Sequence, residues 1–106
     1  MNLQESIKKI LREEGIKSNF FLRRIKFDEV RKRLPINAEM IYYDAETYDE
    51  FKYLLTLTAV EEIMWNDYKI HWEDLPEKEE IEFVTEVSEK LDDHIKYFYN
   101  MVKSEL

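Results

Sequence analysis

Gly15 is the only glycine in the chain, and Pro35 and Pro76 are its only prolines. So few backbone breakers in 106 residues constrain the fold more than any other feature. Tight β-hairpins depend on Gly or Asn-Gly at positive φ, and the chain contains no Asn-Gly pair. A many-stranded β fold is therefore not expected. Phosphate-cradling loops need several glycines for close backbone approach, so P-loop and dinucleotide-binding readings fall too. Long uninterrupted stretches remain, and helices are what such stretches form. A hydrophobic content of 44% supplies enough apolar surface for a core, and the length fits one domain.

Periodicity places the helices. Residues 3–14 set Leu3, Ile7, Ile10 and Leu11 on one face, with Gly15 as the stop. A helix of about 12 residues is marginal alone in water, so this one must dock to be ordered. Asp28 is a candidate cap for a second short helix whose inner face is Val30 and Leu34, ended by Pro35. Segment 36–46 has no helical stripe and is expected to be irregular; Met40–Tyr43 is open to an extended conformation but too short to build a sheet around. Residues 48–68 are apolar nearly all round, the mark of a central buried helix. Residues 77–104 carry Ile81, Val84, Ser88, Leu91, Ile95, Phe98 and Val102 at alternating steps of three and four. Phe83, Val87, Tyr97 and Met101 widen that seam, which fits an intrachain bundle and a homodimer equally well.

The expected fold is an all-α helical bundle. It has a short amphipathic N-terminal helix, a central buried helix and a long C-terminal helix. Residues 1–15 form a leader and residues 16–106 a single helical domain. The alternative is an α+β domain with a short strand near 40–43.

Catalytic chemistry has little to stand on. No cysteine is present, so disulfides, thiolate metal sites and cysteine nucleophiles are excluded. His71 and His94 lack the Glu-x-x-His pairing of helical di-metal sites, since Tyr68 and Leu91 stand three residues before them. Adjacent carboxylates such as Glu61-Glu62 and Asp92-Asp93 point about 100° apart on a helix and do not converge. No serine lies in a nucleophile-elbow motif. The expectation is a non-enzyme with no cofactor, no catalytic residue and no metal ligand. No apolar run approaches the ~20 residues of a membrane span. No apolar signal core precedes a small-residue cleavage site. The chain is read as soluble, not secreted and not a membrane protein.

Charge is unevenly spread. Residues 1–33 hold ten Lys/Arg and five Asp/Glu, whereas residues 34–106 hold six and nineteen. Arg23, Arg24, Lys26, Arg31, Lys32 and Arg33 form a basic patch interleaved with phenylalanines. Such interleaving can bind nucleic acid, but the phenylalanines have core-like spacing and the chain is acidic overall. A solvated face over a core is favoured, a protein partner comes next and nucleic acid last. Residues 73–93 carry ten Asp/Glu and two Lys. An acidic surface of that kind can imitate the phosphate array of DNA.

The leader "LQESIKKILREE" and the following "FFLRRI" resemble the start of a loose group of small, uncharacterised tailed-bacteriophage proteins. That group shares an LQESI(K/R)(K/R)ILREE-type leader and an FLRR box ahead of dissimilar bodies. The match covers residues 3–14 and 20–25. Lys26 follows Ile25 here, where a third arginine is common in the box. A shared head on different bodies implies an address. In some tailed phages a head protease removes such a targeting peptide after a Leu/Ile-x-Glu site. Leu11-Arg12-Glu13 is then the candidate processing site, and Leu3, Ile7, Ile10 and Leu11 the partner-binding face. The expected function is a non-enzymatic phage protein working by protein–protein contact, with the leader as a docking or packaging peptide. Its partner is then a phage structural or host protein. Its place is the cytoplasm of the infected bacterium or the virion. The alternative is an acidic effector, of DNA-mimic type, that inhibits a host DNA-binding or defence protein.

Overall fold

The computed structural model describes Leu22, residues 24–71, Glu73 and residues 77–106. The leader, its processing site and Arg23 lie outside the described residues. The described chain is all-α: α1 (Phe27–Asp44), α2 (Tyr48–Tyr68), α3 (Glu77–Lys90) and α4 (Asp92–Ser104). No strand occurs among the described residues. None of the described helices is long and apolar enough to cross a membrane.

α2 has the bounds that its apolar pattern predicts, and its caps explain them. Thr47 is the N-cap, and its hydroxyl accepts the Glu50 N–H at 3.2 Å. Thr47-Tyr-Asp-Glu50 is thus the Ser/Thr-x-x-Glu signature of a helix start. Lys69 ends the helix in the left-handed region at φ 55°, with its N–H returned to Met64 and Trp65 carbonyls. Ile70 then tucks into the core. Phe51, Leu55, Ala59, Val60, Ile63 and Met64 are buried on several sides. α1, α3 and α4 all pack against α2. Thr56 is buried too, and its hydroxyl donates to the Lys52 carbonyl at 2.9 Å.

α1 overturns two expectations. The helix does not stop at Pro35 but runs on through Asp44. The extended segment and the strand near 40–43 are therefore absent, because Met40–Tyr43 is the last full turn of α1. The physical reason is packing. Val30, Leu34, Ala38 and Ile41 recur at helical spacing and are all buried. A fully buried side chain of Leu or Ile size contributes about 1.5–3 kcal/mol, and an interior proline costs about 3 kcal/mol. Pro35 itself faces solvent. Water can therefore satisfy the Arg31 carbonyl that the missing N–H leaves behind. Asp28 is not the N-cap either. Lys26 holds that place, while Asp28 sits in the first turn and pairs with Arg31 at 3.2 Å.

The single long C-terminal helix is two. α3 ends at Lys90, Leu91 departs from helical geometry (φ −101°, ψ 12°), and α4 starts at Asp92. The Leu91 N–H still bonds the Val87 carbonyl at 2.9 Å, and the Ile95 N–H bonds the Leu91 carbonyl at 3.0 Å. The seam crosses this joint. Val84, Ser88, Leu91, Ile95 and Val102 are buried inside the chain's own bundle. Ser88 is satisfied there by donating to the Thr85 carbonyl at 2.9 Å. Ile81, Tyr97 and Met101 are exposed instead of completing the seam. The joint is held from α2. The Tyr48 hydroxyl donates to Asp92 Oδ1 at 2.6 Å, and Lys52 and Lys96 lie 3.5 and 3.0 Å from the same carboxylate. The hydrogen bond from Tyr48 leads in holding the Asp92 carboxyl below its ordinary range. Burial, with that bond, pushes the Tyr48 phenol up.

Candidate functional site

One surface feature that the core does not explain lies on α1. Ile36, Met40 and Tyr43 are 70%, 55% and 61% exposed. They sit three and four residues apart, so they form one stripe. At 100° per residue that stripe points away from Val30, Leu34, Ala38 and Ile41. α1 is therefore apolar on two opposite faces, and only one of them is used inside the bundle. Single exposed apolar residues are ordinary, but a contiguous stripe marks an interaction surface.

Neighbouring aromatics pack against the C-terminal half of α1. Tyr42 packs on Tyr99 at 5.2 Å between ring centroids and on Phe51 at 6.2 Å. Tyr43 meets Tyr42 edge-on at 6.0 Å. Tyr48 stacks edge-on against Tyr99 at 5.1 Å. The tyrosine-rich stretch is thus divided. Tyr42 and Tyr48 join the core margin, and Tyr43 is presented to solvent. Tyr53 is half-buried, and burial pushes its phenol up, with Glu80 and Glu61 adding to it.

The described residues of the basic patch take different positions. Arg31, Lys32 and Arg33 are successive residues of α1 and fan out around it. Arg31 is paired with Asp28. Arg33 reaches across to α2 and lies 3.6 Å from Glu62, whose other oxygen accepts from Asn37 Nδ2 at 2.9 Å. Lys32 is exposed beside Glu29, Ile36 and Asp67 in a shallow groove between α1 and α2. Arg24 and Lys26 are exposed ahead of the helix. The Arg33–Glu62–Asn37 contacts tether α1 to α2.

The acidic segment divides as well. Glu79, Glu82, Glu86 and Glu89 recur at steps of three, four and three along the outer side of α3. Glu86 is paired with Lys90 at 3.6 Å. Glu80 turns the other way and is only 9% exposed. Its Oε2 has no hydrogen-bond partner among the described residues. Burial, reinforced by Glu61 and Glu77, pushes its carboxyl from 4.5 up to about 7. Composition gave no sign of this residue. The spacing does, since Glu80 shares the buried face of Val84 and Val87.

Among the described residues, no group of three or more His, Asp or Glu side chains is arranged to hold a metal ion. His94 stands exposed on α4, and His71 is exposed with its ring 5.9 Å from Trp65. No protein-family model, curated protein or solved structure matches the chain.

Proposed function

We propose that this chain is a non-enzymatic bacteriophage protein that works by protein–protein contact. The observation that carries the contact reading is the apolar stripe Ile36–Met40–Tyr43 on the outer face of α1. It is backed by an aromatic cluster and lies outside the buried core. The phage setting rests on the resemblance of residues 3–14 and 20–25, and so does the role of residues 1–15 as a docking or packaging peptide. An amphipathic helix with an apolar face of Leu3, Ile7, Ile10 and Leu11 suits a groove on a scaffold protein. The working places are then the infected cell's cytoplasm and the virion.

Mass spectrometry of purified virions tests the address directly. The expected result is the protein present, with its N-terminus at residue 14 after cleavage behind Glu13. Deletion of residues 1–15 is expected to leave the bundle folded and to abolish recovery in virions. Unfolding on that deletion would make the leader a structural element and end its role as an address.

The outer stripe of α3 favours a second reading. Carboxylates three and four residues apart stand about 5–6 Å from one another at Cβ, a spacing that suits a mimic of a phosphate row. This acidic effector would occupy a host DNA-binding or defence protein. Its test is capture of such a protein from infected cells, expected to be lost in the triple variant Glu82→Gln, Glu86→Gln, Glu89→Gln. Unchanged capture removes the reading.

A further inference from the structure

The last three turns of α2 present Thr58, Glu61, Glu62, Trp65 and Asn66 along one side. The turn after Lys69 brings His71 back beside them. These six residues line a surface pocket of about 360 Å³. Glu62 is committed to Arg33 and Asn37, and the Thr58 hydroxyl to the Leu54 carbonyl. Glu61 is not committed in this way. It is half-buried, and among the described residues no lysine or arginine pairs with it. Burial pushes its carboxyl up, and the neighbouring His71 only partly offsets that effect. Trp65 stands one helical turn further on and is 47% exposed. Lys69 Nζ lies 5.7 Å from its ring centroid, so the indole already attracts a cation.

A half-desolvated carboxylate one turn from a half-exposed indole has a specific complement. Lysine carries a compact, strongly hydrated charge, and its desolvation here is costly. Guanidinium is planar and more weakly hydrated. It can stack on the indole while its N–H groups fork onto a carboxylate. At i,i+4 spacing, Glu61 and Trp65 are close enough to share one such group.

We propose that this pocket is an arginine-binding site, taking the guanidinium of a partner polypeptide between the Trp65 indole and the Glu61 carboxylate. The site is separate from the α1 stripe and does not depend on it, so either can fail without the other.

The test uses the full chain, labelled with ¹⁵N, and N-acetyl-arginine amide as the probe at neutral pH and low salt. The Trp65 indole N–H is expected to shift saturably with millimolar-range affinity. Glu61→Gln is expected to weaken the response about tenfold, as loss of a charge-assisted contact does, and Trp65→Ala to abolish the accompanying shifts of the Glu62 and Asn66 backbone N–H signals. The spectrum of each variant reports whether it folds. Equal shifts with the citrulline analogue, which keeps the shape and loses the charge, would overturn the proposal. So would equal shifts with N-acetyl-lysine amide, a saturable response unchanged in a folded Glu61→Gln variant, or no shift at all.

Discussion

The two faces of α1 carry similar side chains and have opposite fates. Val30, Leu34, Ala38 and Ile41 are buried against the bundle, whereas Ile36, Met40 and Tyr43 on the far side stay open. The inner face overrides Pro35 and keeps 18 residues helical. The outer face adds nothing to the core. Hydrophobicity by itself does not decide burial in this helix. Position relative to α2 and α4 decides it.

The sharpest contrast is a pair of truncations. Leu34→Ala removes a fully buried side chain and is expected to cost about 2–5 kcal/mol in urea unfolding. Met40→Ala on the outer face is expected to stay within about 0.5 kcal/mol. Equal losses at both positions would mean that the outer stripe is packed in solution.

Glu80 extends the comparison to α3, where an inner-face position holds a carboxyl among apolar neighbours. Its folded-state value is about 7, against an ordinary 4.5. Below about 4.5 it is protonated in both folded and unfolded chains, and nothing is lost. As pH rises towards and through about 7, the unfolded chain ionises more readily than the folded one, and stability falls. The gap is worth about 3 kcal/mol above pH 8. Glu61 and Glu77 reinforce this trend from nearby. Glu80→Gln is expected to remove most of the stability loss between about pH 5 and 7, measured by urea midpoints. A slope as steep as in the parent protein would show that Glu80 ionises without penalty.

Pro35 separates the two faces, and replacing it sharpens their difference. Pro35→Ala restores a backbone hydrogen bond and is expected to raise stability by about 2 kcal/mol, the helix penalty less the entropy that proline removes from the unfolded chain. Destabilisation instead would mean that proline imposes a bend on which the inner face depends.

Much of the fold can be read in the residues, and the misreadings share a cause. α2 is legible to the residue because Thr47, Glu50 and the apolar run agree with one another. α1 is not, because a local rule about proline competes with a buried stripe whose partners lie on other helices. Leu91 carries no local signal for the joint, which is fixed by Tyr48 and Lys52 some forty residues earlier. The candidate sites are less legible. Ile36, Met40 and Tyr43 have helical spacing, but that spacing becomes visible only once Pro35 is allowed inside a helix. The Glu61–Trp65 pocket needs His71 folded back over the end of α2, and no periodicity announces that turn.

On the proposed function, the outer face of α1 serves a partner and not the fold. Its most direct test is quantitative recovery of co-purifying protein from phage-infected cells, comparing wild type with Met40→Glu. The variant is expected to match wild type in urea midpoint, within about 0.5 kcal/mol, and to lose a partner that wild type retains. Retention of every partner at wild-type levels by a normally folded Met40→Glu protein would contradict the account.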